Sequence, residues 1–254
     1  TASFGDKAVG SGKTVTETGL GLTGADAGNY TLSSTTASTT ADITGVSLTA
    51  SIQADNKIYD GNTSANVTNR TLSGVVGSDD VSATGGTASF GDKAVGNGKT
   101  VTETGLGLTG ADAGNYTLSS TTASTTADIT ERTLVVSATG IDRAYNGTND
   151  ATVTLSDNRV TNDVLTVSYG TASFADKQVG TNKTVSVSGI GVTGTDAGNY
   201  TLSSTTASTT ADITGVSLTA SIQADNKIYD GNTSANVTNR TLSGVVGSDD
   251  VSAT

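Results

Sequence analysis

Apolar and polar residues alternate along most of this chain, in runs the length of a strand. Val185 and Val187 share one parity, and Ile190 and Val192 share the other. The switch at Ser188-Gly189 predicts a β-bulge. Earlier copies of the segment carry Glu17 and Glu103 where Val187 stands, so that position reads as half buried. In TADITGVSLTASI, Ala41 and Ile43 share one face, while Val46, Leu48, Ala50 and Ile52 share the other. This predicts one extended run that fills one domain, turns over near Gly45 and enters the next. GADAGNY reads as a turn, and the strand after it begins with Tyr30, Tyr116 or Tyr200 and the Leu two residues on. The polar, β-branched SSTTASTT suits an exposed or edge strand. No stretch keeps apolar residues at the i, i+3, i+4, i+7 spacing, so no helix is expected.

The pattern repeats. NKIYDGNTSA at Asn56–Ala65 returns unchanged at Asn226–Ala235, with a looser copy, DRAYNGTNDA, at Asp142–Ala151. Tyr59, Tyr145 and Tyr229 are spaced 86 and 84 residues apart, each before an Asp-Gly or Asn-Gly pair. Such pairs supply the positive φ of a tight hairpin, so a strand reversal is predicted there. Residues 45–84 match 215–254 without a change, and residues 1–44 match 87–130 except that Asn97 stands opposite Ser11. A two-residue length difference lies between Val67 and Asp79, opposite Val153 and Asp163, which marks a surface loop.

Self-similarity at a fixed period is the signature of an array. The division that follows is a C-terminal part-repeat at 1–44, complete repeats at 45–130 and 131–214, and an N-terminal part-repeat at 215–254. The expected fold is all-β: a tandem array of small β-sandwich or β-grasp-like domains of about 85 residues, joined end to end by short continuous strands. No Pro-rich or Gly/Ser-rich linker separates them, so neighbours should be closely coupled and the array stiff. The chain opens in mid-repeat at Thr1, as a segment of something longer would.

Composition narrows the chemistry. The chain holds no Cys, His, Met, Trp or Pro and carries a net charge of −11. Without Cys there is no disulfide or thiolate metal site, which is compatible with a chain exported unfolded. An acidic balance argues against nucleic acid, and no apolar run approaches the ~20 residues of a membrane helix. Without His or Cys, neither a Ser-His-Asp nor a Cys-His arrangement can be built. Asp79-Asp80 recurs as Asp249-Asp250 but becomes Asp163-Val164 in the middle repeat, which favours a turn over a catalytic pair. No catalytic, cofactor-binding or metal residue is assigned, and an enzyme is not expected.

Calcium is the alternative that the residues allow. Asp55, Asn56, Asp60 and Asn62 offer oxygen ligands around one turn. The middle repeat has Ile141, Asp142, Asn146 and Thr148 there, which removes two carboxylates, so turn formation is the better account. Asp26, Asp112 and Asp196 each stand alone in a Gly-rich turn. A Lys-to-Asn isopeptide bond assisted by Glu17 or Glu103, with Lys13 or Lys99, fails as a general device because Val187 replaces the acid. The Tyr residues could stack on sugars, but a thin core needs them as anchors.

K-I-Y-D-G-N-T early in the unit, A-G-N-Y-T-L late in it and an I-T joint resemble the YDG-type repeats of large bacterial surface adhesins, the haemagglutinin-like exoproteins of two-partner secretion. The middle copy departs with Asn146 for Asp and Arg143-Ala144 for Lys-Ile. The resemblance implies small β-rich stalk domains, extracellular or on the bacterial surface. The expected role is a structural spacer that projects an adhesive region or bridges cells in a biofilm. Its expected partners are neighbouring repeats, other adhesin copies or matrix polysaccharide. The alternatives are a multivalent binding module for polysaccharide or host glycoprotein, and a self-associating filament.

Overall fold

The computed structural model describes all 254 residues, Thr1–Thr254. It is all-β, with three single-turn 3-10 helices at Ala27–Asn29, Ala113–Asn115 and Ala197–Asn199. It forms two compact units, Thr1–Thr130 and Glu131–Thr254.

In the first unit, residues 45–130 form two small facing sheets. One pairs Val46–Ala54 antiparallel with Val67–Ser73 and parallel with Tyr116–Leu118. The other runs Lys57–Ile58, Thr122–Thr130, Gly96–Thr104, Thr87–Phe90 in spatial order. Ser82–Thr84 and Gly107–Thr109 add a short antiparallel pair. Each half of the repeat lends a strand to the other half's sheet: Lys57–Ile58 goes one way and Tyr116–Leu118 the other. Neither half is therefore complete alone. The core is thin, with Leu48, Ile52, Tyr59, Phe90, Val101, Leu106 and Ile129 buried. A β-grasp needs a helix across its sheet, and the facing sheets here make the sandwich the apt description.

The second unit repeats this plan in 131–214. Val136–Gly140 pairs with Val153–Asp157, and Arg132–Leu134 runs parallel with Tyr200–Leu202. Arg143–Ala144, Thr206–Thr214, Gly180–Ser188 and Thr171–Phe174 form the four-stranded sheet. The strand that is continuous in 46–54 is broken here at Val135, whose N–H donates to Asn158 Oδ1 at 2.9 Å. The two-residue shortening falls at the end of the second strand, which stops at Asp157 and leads into the loop before Asp163.

Three expectations are revised. Gly61 and Gly147 do take positive φ, +82° and +84°, but no hairpin forms there. Lys57–Ile58 pairs with Ile129–Thr130, and Ser64 bridges Ser89, so the two sides of the turn join other strands and not each other. The parity switch at Ser188-Gly189 is no bulge. Gly189 turns a corner at φ +70°, and the chain moves to a different sheet, where Gly191–Thr193 pairs with Thr166–Ser168. Glu103 is not half buried: it is 0% exposed. The Ser/Thr-rich segment is an edge over most of its length, as expected: Thr122–Ala127 pairs only with Gly96–Thr104, Lys57–Ile58 reaches only Ile129–Thr130 on the other side, and Thr36–Ile43 ends its sheet, while Ala123, Ala127 and Ile129 turn into the core.

Candidate functional site

The repeated motif builds a loop around its own cation. The Lys57 ammonium donates to the Asn62 carbonyl at 3.1 Å, to Asn62 Oδ1 at 3.0 Å and to the Ser64 carbonyl at 3.1 Å. It also lies 2.7 Å from Asp60 Oδ1. Asp60 in turn accepts the Asn62 N–H, and Asn62 Oδ1 accepts the Ser64 N–H. Partial burial pushes the Asp60 carboxyl up, but Lys57 and the Asn62 N–H outweigh it and leave it below the ordinary carboxylate range. Lys57 also lies 5.8 Å from the centre of the Phe90 ring, which ties the loop to the TASF strand.

In the diverged repeat an arginine does the same work. Arg143 donates to Asn146 Oδ1 at 2.6 Å, to the Thr148 carbonyl at 2.6 Å and to the Asp150 carbonyl at 2.9 Å, and it stacks 5.2 Å from Phe174. Of the oxygens considered for calcium, those of Asp60 and Asn62 thus face a side-chain cation. Asp55 Oδ2 accepts from Asn66, and Asn56 Oδ1 accepts the Asp128 N–H, so both are drawn to other parts of the loop.

The second cluster joins a repeat to its neighbour. Within the first unit, Lys7 reaches Asp79 Oδ1 at 3.4 Å, and Tyr116 donates its hydroxyl proton to Asp79 Oδ2 at 2.8 Å. The Val76 N–H donates to that same hydroxyl at 3.1 Å, and the Val9 N–H donates to Asn115 Oδ1 at 3.0 Å. Val9, Ile43, Val46 and Val76 line a groove of about 240 Å³ beside this clasp. The Tyr116 hydroxyl holds Asp79 below its usual range, against desolvation and with Lys7 adding to it. Desolvation first, with the Asp79 charge, raises Tyr116.

Within the second unit the clasp uses the motif tyrosine. Tyr145 donates to Asp249 Oδ2 at 2.7 Å, and Lys177 reaches Asp249 Oδ1 at 3.5 Å. Lys177 lies 5.8 Å from the Tyr145 ring. Val179, Val216 and Val246 line the matching groove of about 250 Å³. Tyr145 is the main reason that Asp249 sits low, with Lys177 adding to it.

Other sequence candidates fall into structural roles. Asp112 Oδ2 accepts the Asp80 N–H and Asp196 Oδ2 the Val164 N–H, each at 2.9 Å, which fastens the 3-10 turn to the preceding loop. Lys99 pairs with Asp92 at 2.6 Å and Lys13 with Asp6. Glu103 is held by Arg70: Nη2 is 2.5 Å from Oε1, and Nε donates to both oxygens at 3.1 Å. The lysines and the acid of the isopeptide scheme are therefore paired elsewhere. Sequence reading had no role for Arg70, Lys7 or Lys177 and took Asp79 only as a turn residue. The one signal available was Val187 in place of Glu103; that Leu155 takes the place of Arg70 follows only from the strand register.

These features define an all-β repeat module whose recurring residues serve its own loops and joints. A family model for the YDG domain matches residues 1–41, 44–124 and 130–210. The chain belongs to the YDG domain family. That is a repeat-domain family and not a known enzyme family. No curated protein and no solved structure matches the chain.

Proposed function

We propose that the chain is a structural spacer segment of a secreted bacterial adhesin, extracellular or on the cell surface, and not an enzyme. It projects an adhesive region or bridges cells in a biofilm. The repeats at 45–130 and 131–214 are its folding units, with part-repeats at 1–44 and 215–254. One observation carries this reading: the joint residues lie inside the repeated sequence. Lys7 and Lys177 are equivalent, as are Asp79 and Asp249, so each added copy brings its own clasp and length scales with copy number. The absence of disulfides suits a chain exported unfolded, and the cationic loop centre supports a loop held by Lys57 or Arg143 in place of a metal.

The test is small-angle X-ray scattering on chains of one, two and three repeats, with and without calcium. A constant increase in maximum dimension per repeat, unchanged by calcium, supports the spacer. Three repeats that scatter as one compact particle overturn it.

A further inference from the structure

The complete repeats hold two Asn-Gly pairs, Asn97-Gly98 and Asn146-Gly147, and the fold treats them differently. Asn146 is exposed, and its Oδ1 accepts from Arg143 Nη1 at 2.6 Å, from the Thr148 N–H at 3.0 Å and from the Thr148 hydroxyl at 3.1 Å. Arg143 is itself fixed by the Ala144, Thr148 and Asp150 carbonyls and by the Phe174 ring. The Gly147 N–H makes no hydrogen bond to the backbone. At the other pair the nitrogen is engaged. The Gly98 N–H donates to Asp128 Oδ1 at 2.7 Å, and Gly96 and Lys99 on either side pair with Ile129 and Ala127.

We infer that Asn146 is a self-modifying site, at which the loop's own donors help to turn the amide into a carboxylate. This goes beyond the spacer reading and does not depend on it. The Gly147 nitrogen gives its proton to water and attacks Asn146 Cγ, and the bare glycine leaves the five-membered ring room to close. The N–Cγ bond forms, the Cγ–Nδ2 bond breaks, and the departing amide takes a proton from water and leaves as ammonia. The negative charge develops on Oδ1, where Arg143 and Thr148 already aim three donors, the layout of an oxyanion hole. Water then opens the imide. The same donors polarise Cγ, so water adds there, the Cγ–N bond breaks, and an ordinary aspartate results.

The product fits a loop already present in the molecule. Asp60 accepts the Asn62 N–H at 3.1 Å and lies 2.7 Å from Lys57, and Gly61 at φ +82° matches Gly147 at +84°. Conversion thus gives the diverged repeat the Tyr-Asp-Gly motif of its neighbours, with Arg143 as the ion partner. Water attack on the main-chain carbonyl would instead give isoaspartate, with an extra methylene in the backbone. The difference matters at the joint. Tyr145, one residue before, donates to Asp249 at 2.7 Å, and a side chain on Gly147, one residue after, would meet Val246 Cγ1 at 3.3 Å. Aspartate leaves the spacing of these two residues unchanged, and isoaspartate stretches it.

The test is peptide mapping by mass spectrometry on the folded 254-residue chain, aged at mildly alkaline pH, with a urea-unfolded sample beside it. In the folded chain Asn146 should gain the mass difference between amide and acid several-fold faster than Asn97. Its product should be chiefly aspartate, co-eluting with the same peptide from Asn146→Asp. In urea the two pairs should react alike and give mostly isoaspartate. Arg143→Met should slow Asn146 and raise its isoaspartate share, while Arg143→Lys, which keeps a cation as at Lys57, should stay close to the parent. A loosened loop would react faster, so a slower rate in Arg143→Met reports the lost cation and not disorder. Asn146 that stays an amide in the folded chain overturns the proposal. So does a folded product mixture equal to that in urea, or an Arg143→Met rate equal to the parent's.

Discussion

The guanidinium of Arg70 grips the carboxylate of Glu103 inside one repeat, and in the next repeat Leu155 and Val187 occupy the same two places. The register shows the match: Arg70 lies opposite Ile52, and Leu155 opposite Ala138, across equivalent strands. Glu103 also accepts the Gly86 N–H at 3.1 Å, so its charge is well satisfied though fully buried. A buried ion pair and a packed apolar pair are comparable solutions, but half of either is costly. Arg70→Leu alone should therefore destabilise the first unit by about 3 kcal/mol, and Arg70→Leu with Glu103→Val should regain most of that. Urea unfolding of the four chains of this double-mutant cycle reads the coupling. Additive losses would show that the two positions are independent.

Lys57 at the centre of the motif loop should tolerate Arg and reject Met. Arginine already fills the place at Arg143, whereas Met leaves the Asn62 and Ser64 carbonyls without their donor. The expected loss for Lys57→Met is about 1–3 kcal/mol. Because the ammonium occupies the loop, calcium or a chelator should leave the melting temperature unchanged. A calcium-dependent rise would assign the Asp and Asn oxygens to a metal instead.

At the joint, Tyr145→Phe should release Asp249. The carboxyl of Asp249 is held below the ordinary carboxylate range, first by the Tyr145 hydroxyl and then by Lys177. A depressed carboxylate lends stability that is present above the unfolded value and lost as pH falls through the folded one. The clasp should hold at neutral pH and open only in acid, below the ordinary carboxylate range, as pH falls through the lowered Asp249 value. Carbon-13 titration of the Asp249 carboxyl should show its midpoint rise in Tyr145→Phe. An unmoved midpoint would mean that the hydroxyl does not touch it in solution.

Tyr116→Phe removes a hydroxyl that accepts from Val76 and donates to Asp79, leaving the ring in the core. A loss of about 1–3 kcal/mol is expected, with faster amide exchange at Val76. Loss of the same size with unchanged exchange would place the effect in ring packing.

Much of this was legible from the alternation of residues. Strand positions, the turn before Tyr116 and the anchoring role of Tyr59 all follow from parity and from the scarcity of large apolar residues. The motif loop was misread because Asp-Gly reports only a backbone turn, and it cannot say which strands lie on either side. Lys57–Ile58 finds its partner about seventy residues away, in Ile129–Thr130, and no local pattern encodes that pairing. The joint was hidden for a similar reason. Lys177 and Asp249 are unremarkable surface charges until the fold brings them together, and Glu103 looked half buried because Arg70, its partner, lies 33 residues away.

The alternation of an Arg–Glu core with a Leu–Val core also acts as a sorting code during folding. Adjacent repeats emerge one after the other with nearly the same strands, which invites exchange between neighbours. A first half bearing Arg70 that closed on the second half bearing Val187 would trap a cation against an apolar wall. The reverse error would bury Glu103 against Leu155. Either mistake leaves an uncompensated charge, at about 3–5 kcal/mol. A folding chain is thereby steered to close each repeat on itself and not on its neighbour.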